Sequence, residues 1–317
     1  MSVLFCGNEM DAVFANGVTP TYTTTSRETT MTRSAIQIGS GTVDANLKAT
    51  QTDMWIHFRH AASSNLGNSR DRIRVFNASG DVLRIRGSGL GASVERWTGS
   101  AWSVMGTIFL ADESYTRDWD IHIVGGVGVE VYLNGTLNVA FAHASLLTNF
   151  TGVRFEGSNN TNYYSQIIVA DEPTIGWKLQ QKHPTGNGAQ TAFSGAFGDV
   201  DDTNWSTAVF SSGAANGDTE TLTGGAGADY GSRSVKAVAV GINVRNDGVA
   251  PTKAQGVLRK GGTDYPSADL ANLIHTAVDA NFRPHVAIWH LDPSTTAPWV
   301  VADAIDAALE FGMKAVT

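Results

Sequence analysis

"VEVYLNGTLNVAF", residues 129–141, is a β-hairpin spelled out in alternation. Val129, Val131 and Leu133 alternate with Glu130 and Tyr132; Asn134-Gly135 follows; then Leu137, Val139 and Phe141 alternate again. Period-two alternation gives a strand one apolar face. Asn-Gly accepts the positive φ angles of a two-residue type I′ turn, which fixes the register of the two arms. Outward from this hairpin the same texture continues. "MWIHFRHA" (54–61) alternates Trp55, His57 and Arg59 with Ile56, Phe58 and His60. "ASVERWTGSAWSVMG" (92–106) places Trp97 and Trp102 on either side of a Thr98-Gly99-Ser100 turn. "DWDIHIVGG" (118–126) sets Trp119, Ile121 and Ile123 against Asp118, Asp120 and His122, and "GVRFEG" and "YYSQIIVADE" supply two further strands. About a dozen short strands with turn signals roughly every 8–12 residues predict an all-β sandwich.

Composition agrees. The 317 residues suffice for two domains, and 34 Gly, 8 Pro and 16% charged residues are a turn-rich β profile. Thirty acidic against 22 basic residues, a net charge of −8, argue against a nucleic-acid partner, which needs a concentrated Lys/Arg face. The densest basic stretch, "SRDRIRVFNASGDVLRIRG" (69–87), puts Arg72, Arg74, Arg84 and Arg86 opposite Ile73, Val75, Leu83 and Ile85. They are expected to form the wet face of a hairpin. The single cysteine, Cys6, excludes an intrachain disulfide and fits folding in a reducing cytoplasm. The amino terminus reads as no signal peptide, and no apolar run is long enough for membrane insertion.

Near residue 175 the alternation gives way to "EPTIGWKLQQKHPTGNGAQTAFSG", which sets two expected domains, 1–176 and 177–317. In the second, "SRSVKAVAVGINVRND" (232–247) predicts a strand with Val235, Ala237 and Ala239 on one face, and "AQGVLRKGGTDYPS" a hairpin closed by Gly261-Gly262. "LANLIHTAVDANF" (270–282) fits helix or strand and is assigned to strand from its β-rich surroundings. "TAPWVVADAIDAALEFGMKAV" predicts a short helix after Pro298, with Val301, Ile305, Ala308 and Leu309 apolar, ending at Gly312 before a closing strand. Trp299, Ile305, Leu309 and Phe311 are its candidate assembly or structural residues, since so short a helix must bury its apolar side.

Together "DWDIHIVGG", "VEVYLNGTLNVAF" and "YYSQIIVADEPTIGWKL" resemble concanavalin A-like, laminin-G-type jelly rolls over roughly the first 175 residues. The second half is similar to a region that follows such domains in phage virion proteins, through "DVDDTNW" (199–205) and the ending "DPSTTAPWVVADAIDAALEFGMKAV". The resemblance implies a jelly-roll sandwich followed by a second β-sandwich with a short carboxy-terminal helix. It further implies a structural protein of a tailed phage or gene transfer particle, on tail, fibre or head surface. Its expected location is the virion and its expected partners are other virion proteins and copies of itself, as a homotrimer or lattice.

Fold does not settle chemistry. Retaining glycanases need two carboxylates about 5–5.5 Å apart. Asp118 and Asp120 are the one well-formed pair within a strand, and they lack the E-x-D-x-x-E run of glycanases with this fold. Asp112-Glu113 and Asp171-Glu172 fall in a loop and at a strand end. There is no H-E-x-x-H, no G-x-S-x-G elbow and no phosphate loop between strand and helix. Asp199, Asp201 and Asp202 could supply oxygen ligands to Ca²⁺, but without calcium-loop spacing they read as turn acids. "GSNNTNYYS" (157–165) combines amides with flat rings, so Asn159, Asn160, Asn162, Tyr163 and Tyr164 are the candidate glycan contacts. The sequence thus reads as a non-enzymatic virion protein without a required cofactor. The alternatives are a lectin-like adhesin for host-surface polysaccharide and a depolymerase using Asp118 and Asp120.

Overall fold

The computed structural model describes residues 2–7, 14–16, 21–23, 35–38, 41–62, 71–87, 91–110, 116–143, 148–157, 162–180, 182–194, 215–226, 233–244, 251–268, 271–272 and 283–317. Over these residues the chain is nearly all β, with antiparallel sheets forming sandwiches and one short helix. It divides into two compact units, Met1–Leu179 and Gln180–Thr317. Among the described residues no helix is long and apolar enough to cross a membrane.

The first unit holds β1 (Val3–Gly7), β2 (Phe14–Asn16), β3 (Thr21–Thr23), β4 (Ala35–Ile38), β5 (Thr42–Gln51), β6 (Asp53–Ala62), β7 (Asp71–Asn77) and β8 (Gly80–Gly87). It continues with β9 (Gly91–Trp97), β10 (Trp102–Phe109), β11 (Arg117–Val124), β12 (Gly128–Leu133), β13 (Thr136–Ala142), β14 (Phe150–Glu156) and β15 (Asn162–Ala170). An eight-stranded sheet runs β13-β12-β11-β6-β15-β4-β3, with β1 also paired to β15; a seven-stranded sheet runs β10-β9-β8-β7-β14-β5-β2. Between them lie the rings of Phe58, Trp119 and Tyr164 from the larger sheet and Phe155 from the smaller. Phe155 stands edge-on to Phe58 at 5.5 Å and to Tyr164 at 5.1 Å. Burying such a side chain contributes about 1.5–3 kcal/mol, so this seam holds the two sheets together.

The founding hairpin forms as the sequence dictates, with Asn134 at φ 50° and Gly135 at φ 79°. The 92–106 hairpin likewise pairs Trp97 with Trp102. The arginine hairpin departs from expectation. A register shift between Asp71 and Ile73 turns Asp71 toward the outer side beside Arg74 and swings Arg72 into the interior, where it is 1% exposed. Such a bulge shifts alternation by one residue. β6 is largely buried on both sides, its inner residues in the core and His57 on its outer side beneath residues 174–178.

The second unit contains β16 (Pro184–Thr191), β17 (Thr219–Gly224), β18 (Val238–Val244), β19 (Lys253–Lys260), β20 (Thr263–Pro266), β21 (Ala271–Asn272), β22 (Arg283–Trp289), α1 (Val301–Ala304) and β23 (Glu310–Val316). Its main sheet runs β16-β17-β23-β19-β20, with β21 on β19, and β18 pairs β22 as a second layer. β18 begins at Val238, so Val235 and Ala237 precede it; its buried residues are Val240, Ile242 and Val244, and Val235 packs partly buried against the same cluster. The Gly261-Gly262 hairpin is present as β19-β20. Of 270–282 only Ala271–Asn272 falls among the described residues, in a strand.

The carboxy-terminal helix is shorter than its sequence suggests. It spans four residues, Ile305 already caps it, and Gly312 lies inside β23 rather than ending a helix. A Cβ at Gly312 would collide with the Glu220 carbonyl, so glycine serves there to let β17 approach. Trp299 and Leu309 are buried in the core, Ile305 is half-buried, and Phe311 packs against the cluster. The Trp299 indole donates to the Trp289 carbonyl at 2.9 Å. β23 is a central strand between β17 and β19.

Candidate functional site

The outer side of the seven-stranded sheet carries a row of charge at a single register. Asp44 of β5 faces Arg154 of β14, Arg154 faces Arg74 of β7, Arg74 faces Arg84 of β8, and Arg84 faces Glu95 of β9. Three guanidiniums side by side would repel, so carboxylates close in from the row's ends and flanks. Arg154 holds Asp44 with two bonds of 2.8 and 2.9 Å. Arg84 reaches Glu95 at 2.6 Å and Asp71 at 3.5 Å. Arg74, in the middle, meets Asp71 at 2.7 Å, Asp81 at 2.6 Å and Glu156 at 2.6 Å. Arg86 stands 3.9 Å from Asp71. At the β9-β10 end the row meets an aromatic wall, where the Arg84 guanidinium lies 4.3 Å over the Trp102 ring and Trp102 meets Trp97 edge-on at 5.4 Å.

This floor is recessed: the side chains of Asp44, Asp71 and Glu95 are at most 10% exposed, those of Arg74, Arg86 and Arg154 about 30%. Burial works to raise the Glu95 carboxyl, but hydrogen bonds from Ser93 and Arg84 outweigh it and hold the group below its usual range. Glu156 goes the other way. Burial pushes it up to about 7, with Asp71 and Asp81 adding to the rise and Arg74 offsetting only part of it. Side by side, the floor offers acceptors and donors fixed in position, with a flat aromatic border.

The outer side of the eight-stranded sheet is built differently. His57, Asp118, Asp120, His122, Glu130 and Tyr132 project there, but residues 174–178 cross part of it. Thr174 donates to Asp120 at 2.8 Å and Lys178 to Asp118 at 2.8 Å, with Arg59 on the other Asp118 oxygen at 3.1 Å. His57 and Asp120, 2.9 Å apart, are 0% and 1% exposed. Of the Asp118/Asp120 pair, one acid is sealed under the strap and the other is shared between two cations. Beyond the strap, Trp55 stacks on His122 at 4.4 Å, whose ring nitrogens lie 2.9 Å from Asp53 and 3.2 Å from Glu130.

Of the sequence-predicted glycan contacts, those among the described residues do not share one exposed face. Asn159 and Asn160 lie outside the described residues. Asn162 and Tyr164 are wholly buried between the sheets, where the Asn162 amide and the Tyr164 hydroxyl donate to the Glu156 carbonyl at 2.8 and 3.0 Å. His60 sits with them, 3.2 Å from Asn162; burial, with Arg72 nearby, lowers its pKa to about 3. Tyr163 is half-buried in β15. Asp199, Asp201 and Asp202 also lie outside the described residues; among those described, no group of three or more His, Cys, Asp or Glu is placed to hold a metal ion. Sequence reading missed the charged floor because its residues come from five strands. The visible trace was the Arg-rich 69–87 hairpin, whose partners Glu95 and Glu156 carry no local mark, and neither does the Asp44–Arg154 pair that extends the row.

No protein-family model and no curated protein matches the chain. Among solved structures it is similar to a cellulose induced protein, at 17% identity and TM-score 0.41, over 50% of this chain and 90% of that one. It is also similar to the globular domain of T. cruzi calreticulin, at 9% identity and TM-score 0.41, over 54% and 89% of the two chains. A third is a carbohydrate esterase of the Shiga toxin-encoding bacteriophage phi24B, at 12% identity and TM-score 0.40, over 53% and 97%.

Proposed function

We propose that the chain is a non-enzymatic structural protein of a tailed phage or gene transfer particle that reads a host-surface glycan through its first unit. The observation that carries the reading is the recessed row Asp44-Arg154-Arg74-Arg84-Glu95, bordered by Trp102 and Trp97. Such a row presents guanidinium and carboxylate edges to sugar hydroxyls and a ring face to the apolar side of a sugar. The particle assignment rests on the resemblance of the "DPSTTAPWVVADAIDAALEFGMKAV" ending to phage virion proteins. A binding role without catalysis is favoured because Asp44, Asp71, Asp81, Glu95 and Glu156 are all engaged by arginines. Display as a homotrimer or lattice would multiply a weak single-site affinity through effective concentration.

The test is a glycan array probed with the full chain, alongside Trp102→Ala and Arg154→Ala variants whose folding is checked by thermal unfolding. Binding lost in the folded variants supports the assignment, whereas binding unchanged in both overturns the site. Release of reducing ends from a bound polysaccharide would overturn the non-enzymatic part.

A further inference from the structure

We infer that the floor of the seven-stranded sheet selects uncharged sugar chains and turns away uronate or sulfated ones; this rests on the glycan reading above. The motif is one of saturation. Arg74 is engaged by Asp71, Asp81 and Glu156, Arg84 by Glu95 and Asp71, and Arg154 by Asp44 at 2.8 Å with Asp81 at 3.7 Å. Four arginines, Arg86 included, thus face five carboxylates. A carboxylate or sulfate on a ligand that reaches an exposed guanidinium edge finds that charge already compensated and stands beside carboxylates that repel it, and a full ion pair would displace one of these partners. Asp44, Asp71 and Glu95 are buried, and a displaced buried carboxylate is left uncompensated.

A hydroxyl group imposes no such exchange. It accepts from a guanidinium edge while donating to a neighbouring carboxylate oxygen, so it adds to the lattice without breaking an ion pair. The carboxylates at the two ends of the row, Asp44 and Glu95, further place negative charge where a bound chain would enter and leave. Nor is the floor a cation trap. Glu156 takes up a proton near neutrality, which brings the array close to four charges of each sign.

Affinity electrophoresis and calorimetry of the full chain supply the test, using dextran, galactomannan and xyloglucan as neutral probes against alginate, polygalacturonate and heparan sulfate. The inference expects retention by at least one neutral polymer, about tenfold or more tighter than by any polyanion, and little change between 50 and about 300 mM salt. The doubly substituted Asp81→Asn, Glu156→Gln chain, whose acids lie at the margin of the row, should gain polyanion binding that salt abolishes. Tight, salt-sensitive retention of the unsubstituted chain by a polyanion would overturn the selectivity and leave glycan recognition standing. Retention by no polymer at millimolar sugar would overturn the glycan reading itself, and this inference with it.

Discussion

The two outer faces of the first unit solve the same problem in opposite ways. Each carries charged side chains on a sheet whose other side is core. On the eight-stranded sheet the chain folds back over its own acids: Thr174 and Lys178 cap Asp120 and Asp118, and His57 is sealed beneath. On the seven-stranded sheet the charges neutralise one another laterally, and Arg74, Arg86 and Arg154 keep about 30% exposure. Lateral pairing leaves polar edges open along the row, while the strap seals Asp120 and His57. That difference is why the proposed glycan site is placed on the seven-stranded side, although the other face carries acids too.

Acid should strike at what the faces share. His60 lies between the sheets with its pKa lowered to about 3, so the unfolded chain takes up a proton near 6.5 that the folded chain refuses. Its contribution to stability is complete above pH 6.5 and is lost as the pH falls toward 3, up to about 5 kcal/mol. Denaturant midpoints measured across pH should show this limb, and His60→Asn should flatten it. Arg84→Met is the next largest effect, breaking the open face: Glu95 and Asp71 lose a buried partner, at a cost of about 3 kcal/mol in unfolding free energy. The strap should be untouched, as hydrogen exchange over residues 174–178 would report.

Glu156 sharpens the contrast, because its sign is reversed. Raised to about 7, it favours the fold while protonated, below pH 4.5, and that contribution is lost as the pH rises through 7. With its partial exposure discounted, the effect is on the order of 2 kcal/mol. Glu156→Gln should therefore gain relative to the parent at pH 8 and not at pH 4, by urea titration. On the closed face, Thr174→Val removes one hydrogen bond to a buried carboxylate and should cost about 1–2 kcal/mol with no loss of glycan binding. Smallest is Lys178→Ala, which breaks a part-exposed pair worth less than about 1 kcal/mol, read as a shift of a few degrees in Tm.

Much of the fold was legible because hairpins are local. Asn134-Gly135, Gly99 and Gly261-Gly262 each announced a turn, and each turn set a register. Misreadings came where local pattern yielded to distant contact. Gly312 resembles a helix stop, yet it sits in β23 because the Glu220 carbonyl of β17 fills the space a side chain would need. In the 232–247 stretch the strand starts only at Val238, and the core cluster with Trp299 and Leu309 decides that Val240, Ile242 and Val244 are inside. Arg72 went astray for a related reason: a single bulge inverted its side.

What the sequence by itself determined was the menu: short alternating strands, the turns between them, an acidic and disulfide-free chain, and an Arg-rich hairpin. Turn chemistry and period-two burial act over a few residues, so they can be read along the chain. The tertiary structure alone decided that Asp44, Arg154, Arg74, Arg84 and Glu95 stand in one row, and that Asp120 is sealed while Glu156 stays within reach. Charge pairing across a sheet depends on which strands become neighbours. That order is set by burying Phe58, Trp119, Phe155 and Tyr164 together, a nonlocal event that no single stretch encodes.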